Sequence, residues 1–373
     1  MKIVFLSNFL LHHQIEFCEE MTKLCESFWF VATSPITEER LKLGYKDYSK
    51  ESISYYFDGT NPSNSDTLQR IIEEADAVII GSAPWHLVDS RVKAGKLVFI
   101  YSERIFKTFV ASLKAILKGS VHQRYVVPGR MNNVKLLCAS AYLPFEMRML
   151  RSFKDGMYRW GYFPPYKAEN NTPNNEPIKV LFAGRLIGWK RPHYVLKLAK
   201  DIKQSDTCAR IRIVGTGHDE KKLQKYAVRH GLEEIVTFTG SMSPDKVRDE
   251  MVSADIFLFP STKEEGWGAV LNEAMNSKCA VIASSKIGSV PFMIQDQVNG
   301  IIFADGSYRD FKKKFFQLSQ NRAKIKQIGN AAYATVAQEW NGVKAAQRLT
   351  ILVDSLLRGK DTPFVAGPCS KIK

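Results

Sequence analysis

Residues Asp255–Met275 read DIFLFPSTKEEGWGAVLNEAM. The apolar run Ile256–Phe259 is uninterrupted and closes on Pro260, as a short buried strand does. A polar loop follows, then Gly266-Trp267-Gly268, then a helix through Asn276. Working outward, the same kind of run recurs at Val180–Ala183, Arg210–Val214, Val236–Thr239 and Ala280–Ala283. Amphipathic stretches such as Tyr194–Asp201 and Glu220–His230 lie between them. An earlier series has runs at Ile3–Leu6, Phe28–Ala32, Ala77–Ile80 and Leu97–Tyr101. Apolar strands alternating with helices predict parallel sheets covered on both faces, hence an α/β fold.

The series restarts near residue 178, so two similar domains are expected. Between them Tyr162–Pro177 reads YFPPYKAENNTPNNEP, rich in proline and asparagine. The expected division is 1–165 for the first domain, 166–177 for a linker, 178–335 for the second domain and 336–373 for a C-terminal helix and tail. Val343–Leu357 has a helical period and an apolar face that fits either domain, and the residues from Gly359 onward read as frayed.

The bulk numbers set bounds. A chain of 373 residues, 45% hydrophobic and 24% charged, can bury two cores without disulfides or metals. The formal charge of +15 suits partners that carry negative charge: nucleic acid, anionic lipid or phosphorylated substrates. The cysteines at 18, 25, 138, 208, 279 and 369 form no C-x-x-C pair, which argues against zinc and redox motifs and fits reduced thiols in a cytoplasmic protein. No stretch has the length to span a bilayer, and MKIVFLSNFLLHH lacks the basic region and cleavage site of a signal sequence.

Chemistry enters with the loop and helix after Phe259. A helix N-terminus presents unpaired N–H groups and partial positive charge to a diphosphate, and Gly266 and Gly268 let that backbone come close. Glu265 stands in the loop and Glu273 on the helix, seven residues between them. The first suits sugar hydroxyls and the second the hydroxyls of a ribose. The same residues also fit a capped surface helix with two solvated glutamates. Upstream, Val180–Lys190 reads VLFAGRLIGWK, a strand running into a glycine turn with Arg185 and Lys190 beyond it. A guanidinium and an ammonium can clamp a diphosphate leaving group, or can be ordinary surface cations at a strand end.

Together these segments resemble the C-terminal domain of the retaining glycosyltransferase family 4, whose GT-B fold sets two Rossmann-like domains facing across a cleft. The resemblance rests on Gly184-Arg185-Leu186 with Lys190, on Glu265-Gly266-Trp267-Gly268 with Glu273, on Val214-Gly215-Thr216-Gly217 and on Thr239-Gly240. It covers residues 178–303, with Trp267 standing where the family has Phe. It implies transfer of a sugar from a UDP- or GDP-linked donor to an acceptor hydroxyl with retention; since the sequence positions no evident nucleophile, the expected route is same-face attack with the departing phosphate taking the acceptor's proton. It implies that Arg185 and Lys190 hold the diphosphate and Glu265 faces the donor sugar. It assigns Gly184, Gly215, Gly217, Gly266, Trp267 and Gly268 to the donor site and Glu273 to the ribose. No metal or other cofactor is expected.

The first half resembles the family only in pattern. The turn after its first strand, Ser7–Gln14, has no glycine, and Leu97–Tyr101 runs into Ser102-Glu103-Arg104 where many members place a histidine. His12, His13, His86 and Glu103 follow expected strands, where open α/β sheets bind ligands, so they are the acceptor-side candidates. Individually each also fits a polar loop residue or a helix cap. Arg104–Lys135 carries Arg104, Lys107, Lys114, Lys118, Arg124, Arg130 and Lys135, interleaved with apolar residues and without an acid. It fits a helix docked on an anionic membrane, as a lipid-linked saccharide acceptor of surface polysaccharide or lipopolysaccharide assembly needs, or a core-packed helix with a solvated basic face. The expected place is cytoplasmic, peripheral to the membrane. The alternatives are a nucleotide-sugar epimerase on the same fold and a non-enzymatic basic protein that binds nucleic acid, for which no reading module is present.

Overall fold

The computed structural model describes residues 1–107, 119–165 and 177–373. The chain divides into two compact units, Met1–Pro165 with Glu339–Lys373, and Tyr166–Gln338. Residues 166–176 of the expected linker lie outside the described residues.

The first unit holds a seven-stranded sheet of β1 Lys2–Ser7, β2 Ser27–Ala32, β3 Tyr56–Asp58, β4 Ala77–Ile80, β5 Leu97–Ser102, β6 Val134–Cys138 and β7 Met157–Arg159. Its order is β3-β2-β1-β4-β5-β6-β7, with every pairing parallel. The second unit holds six strands, β8 Ile178–Ala183, β9 Ala209–Val214, β10 Val236–Gly240, β11 Ile256–Phe259, β12 Ala280–Ser284 and β13 Ile301–Phe303. Its order, β10-β9-β8-β11-β12-β13, is also parallel throughout. Each sheet runs outward from its first strand in both directions, the doubly wound Rossmann-like order, so each has a point beside that strand where the winding reverses. In the first unit that point lies between β1 and β4, and in the second between β8 and β11.

Every run read as a strand is one: Ile3–Leu6, Ala77–Ile80, Ile256–Phe259 and Ala280–Ala283 are buried on both faces, whereas Arg210–Val214 alternates, with Arg210 and Arg212 exposed and Ile211 and Ile213 buried. The structure adds β3, β6, β7 and β13. β6 corrects the reading of Arg104–Lys135 as one basic segment, since Lys135 stands on a central strand paired with Phe99. Val98 and Leu136 pack in the core of this unit, and Val180, Ile211 and Ile282 in that of the other.

The C-terminal helix Gly342–Leu357 belongs to the first unit, where Ala345, Ala346, Leu349, Leu352 and Val353 are buried. It packs on the helix His12–Leu24. There Gly342 N–H donates to Glu16 Oε2 at 2.9 Å, and a Cβ at 342 would stand 2.7 Å from the Phe17 nitrogen. The tail beyond it is not frayed. Arg159 N–H donates to Ser370 O at 2.9 Å, Cys369 N–H to Arg159 O at 2.8 Å and Ile372 N–H to Met157 O at 2.8 Å. The tail thus pairs with the edge strand β7 in the antiparallel sense, and Cys369 and Ser370 are fully buried. Among the described residues no helix is long and apolar enough to cross a membrane.

Candidate functional site

In the second unit the loops after β8 and β11 leave neighbouring strands at the reversal point. After β8 the chain passes Gly184-Arg185-Leu186 and enters a single turn of 3-10 helix, Gly188–Lys190. Arg191, at φ 52°, swings it into the helix Pro192–Lys203. After β11 the loop Pro260–Gly268 leads to the helix Val270–Asn276. Thr262 N–H donates to Trp189 O at 2.8 Å, which ties the two loops together.

That tie sets Lys190 against Glu265, and their side chains form a salt bridge. The ammonium also lies 4.6 Å from the Trp189 ring centre. Arg185 is exposed, 5.7 Å over the same ring, and forms no ion pair among the described residues. Two cations and one carboxylate therefore converge at the carboxyl end of the sheet. Arg191 braces the arrangement: its guanidinium pairs with Asp305 at 2.5 Å and donates to Pro260 O at 3.3 Å. Asp305 also accepts from Ser284 Oγ at 3.0 Å, which joins the ends of β12 and β13 to the brace.

The glycines are demanded by close approach. At Gly215, φ 127°, a Cβ would fall 2.1 Å from Gly184 O, and at Gly217 one would fall 2.5 Å from Leu186 O. At Gly268, φ 80°, a Cβ would meet the Phe259 ring at 2.6 Å and the Glu265 side chain at 3.1 Å. Gly184 N–H is taken by Val214 O at 3.0 Å, and Gly266 is buried in the loop. The Trp267 side chain is fully buried, with Nε1–H donating to Asn272 Oδ1 at 2.8 Å. It anchors the start of the helix, and its carbonyl accepts from Ser289 N–H at 3.3 Å. Glu273 lies on that helix, half-buried, and its carbonyl accepts from Arg248 at 2.8 Å.

In the first unit, two of the acceptor-side candidates meet through a residue that sequence reasoning missed. The His13 ring lies 4.7 Å from that of Tyr162, whose hydroxyl donates to Glu103 Oε1 at 2.9 Å. Lys107 pairs with the other carboxylate oxygen at 3.0 Å. His12 lies beside them, 5.4 Å from His13 and 5.7 Å from Tyr45 between ring centres. Burial, and then the charges of His12 and Arg40, hold the His13 imidazole well below its ordinary range. His86 stands apart, exposed on a short helix after β4. Tyr162 carries no local signal, being one of several aromatics, with Trp160, Phe163 and Tyr166, at the head of the proline-rich stretch.

The segment Arg104–Lys135 is only partly described: Lys114 and Lys118 lie outside the described residues. Its described cations are largely engaged. Arg104 pairs at 3.4 Å with the buried Glu146, which also accepts from Ile105 N–H at 2.7 Å. Burial raises the Glu146 carboxyl above its usual range against those partners. Arg124 donates to Gly81 O and, at 2.9 Å, to Ala83 O, beneath the loop that follows β4.

Residues 166–335, just under half of the chain, match the family model of glycosyl transferases group 1. The two Rossmann-like units have the GT-B fold: the Anabaena protein Alr3699/HepE, solved in complex with UDP, superposes with a TM-score of 0.71 at 17% identity, covering 95% of this chain and 100% of that one. Among curated relatives, an uncharacterized glycosyltransferase of Methanocaldococcus jannaschii is 29% identical over 184 residues, 48% of this chain and 46% of its own length. The amylovoran biosynthesis glycosyltransferase AmsK of Erwinia amylovora is 27% identical over 187 residues, 49% of this chain and 46% of its own. The chain thus spans about half the length of the curated relatives it matches.

Proposed function

We propose that the protein is a retaining glycosyltransferase that moves a sugar from a UDP- or GDP-sugar to the hydroxyl of a saccharide acceptor. The observation that carries this reading is the meeting of Arg185, Lys190 and Glu265 where the winding of the second sheet reverses. As the bond from the anomeric carbon to the phosphate oxygen breaks, negative charge grows on the diphosphate. Arg185 and Lys190 oppose it, and fixed cations cost no reorganisation when the charge appears. Glu265 holds Lys190 in place and presents its remaining lone pairs to donor-sugar hydroxyls. The acceptor oxygen forms the new bond from the same face, and its proton passes to the departing phosphate, which conserves charge without a protein nucleophile. Glu273 binds the ribose. With two cations on the diphosphate, turnover needs no metal and persists in a chelator.

The His13–Tyr162–Glu103 chain is the acceptor side of this reading, because it places hydrogen-bonding groups of the first unit after β1 and β5. The acceptor in this reading is a lipid-linked saccharide of surface-polysaccharide assembly. The relative from Erwinia amylovora, named for amylovoran biosynthesis, supports a biosynthetic glycosyl transfer, and the UDP in the Anabaena structure supports a UDP-linked donor. A panel of UDP- and GDP-sugars, assayed for thermal stabilisation and for release of nucleoside diphosphate, tests the reading. One sugar nucleotide at a hundred times its dissociation constant adds about 2.7 kcal/mol of stability. A panel without stabilisation or turnover contradicts it.

A further inference from the structure

The helices Pro192–Lys203 and Glu220–Arg229 of the second unit flank an open groove of about 650 Å³, whose cations are exposed to solvent. Lys197, Lys221, Lys222, Lys225 and Arg229 line it, facing a single acid, Asp219. Lys221, Lys225 and Arg229 stand four residues apart on one helical face with Lys222 beside them, so like charges are stacked where a helix ordinarily alternates sign. Among the described residues none of these four has an ion pair or a side-chain hydrogen bond. Elsewhere in the same unit the cations find acids: Arg212 pairs with Glu250, Lys312 with Asp201 and Lys314 with Asp296. The nearby carboxylates are already engaged, Asp219 with His218 at 3.1 Å and Glu220 with Gln224 at 3.3 Å. The floor is apolar, made by Leu196, Leu223 and the ring of Tyr226. The local field is positive enough to bear on the His193 imidazole, which burial, Lys197 and Arg191 hold below its ordinary range.

We propose that this groove is a second anion site, which takes a ligand bearing phosphate groups beside an apolar or ring-shaped portion. Five cations gathered along one groove against a single acid favour a polyanion over a neutral ligand, and charge-assisted contacts to phosphate oxygens supply the attraction. The apolar floor would be superfluous for a bare ion. Gly188 lines one end of the groove and opens the turn that carries Lys190, so an occupant touches the back of the donor loop. The ligand's phosphate comes either from a soluble phosphorylated compound or from a lipid headgroup.

Calorimetric titration of the full chain with inorganic pyrophosphate tests the site. The wild type binds at two sites. The exposed triple variant Lys222→Ala, Lys225→Ala, Arg229→Ala loses one of them, its affinity falling about a hundredfold, while its thermal melt stays that of the wild type. The double variant Arg185→Ala, Lys190→Ala loses the other, so failure of the donor assignment and failure of this one are read separately. Cosedimentation with phosphatidylcholine vesicles, with and without phosphatidylglycerol, identifies the source. Charge-dependent sedimentation lost in the triple variant points to a headgroup, and sedimentation unchanged beside lost pyrophosphate binding points to a soluble compound. A triple variant that behaves as wild type in both assays overturns the proposal, as does a wild type whose only pyrophosphate site is the one removed with Arg185 and Lys190.

Discussion

Lys190 and Glu265 are mostly enclosed, and each needs the other while the donor is absent. Removing one partner of such a pair leaves a poorly solvated charge behind. Glu265→Ala therefore frees Lys190 to follow the diphosphate, so free nucleotide still binds while turnover falls with the loss of contacts to the sugar. Glu273→Ala has the opposite signature: free nucleoside diphosphate binds more weakly by about 1.5–3 kcal/mol, the usual value of a hydrogen bond to a charged acceptor. Calorimetry with UDP and GDP separates the two, and the reverse pattern would falsify both assignments. His13 makes a second prediction at this scale. Its folded-state pKa is depressed, so its contribution to stability is present above the unfolded value near 6.5 and is lost as pH falls toward the folded value. Below about pH 6.5 the first unit loses up to roughly 1.4 kcal/mol per pH unit through this group. Urea melts from pH 7.5 to pH 5 show a shallower loss in His13→Gln, and equal slopes in the two proteins would remove the assignment.

Elements whose burial is two-sided are legible in the sequence, and those that depend on distant partners are not. β8 and β11 carry unbroken apolar runs, so both loops of the donor side could be placed from spacing alone. β6 alternates around Lys135 and hides within a basic stretch, and β7 and β13 are three residues long, below what periodicity resolves. The tail reads as polar and frayed because its backbone partners lie some two hundred residues earlier, on β7. The same limit hides Tyr162, whose meaning comes from Glu103 and His13, and Asp305, whose meaning comes from Arg191. The tail is a structural element, so truncation after Lys360 exposes the edge of β7 and uncovers the space filled by Cys369 and Ser370. Three backbone hydrogen bonds and that burial amount to about 2–4 kcal/mol. Denaturant unfolding of the shortened chain reads the loss, and a truncation without effect would show the pairing to be dispensable.

At the scale of the whole molecule, two units of the same winding divide the groups that the proposed reaction needs. The second unit holds Arg185, Lys190 and Glu265, the clamp proposed for the diphosphate, and the first the His13–Tyr162–Glu103 chain. The charge of +15 is not spread evenly: Arg104, Lys107, Arg191 and Arg212 pair with acids of the same chain, while Arg185 and the row from Lys221 to Arg229 have no ion pair among the described residues. The central claim is that Arg185 and Lys190 act on the leaving diphosphate, and steady-state release of nucleoside diphosphate from the preferred sugar nucleotide measures it most directly. Arg185→Ala and Lys190→Ala each lower turnover about a hundred- to a thousandfold, the loss of one electrostatic partner of a developing charge being worth about 2.7–4 kcal/mol. Turnover near that of the wild type in both variants, with their thermal melts intact, would contradict the account.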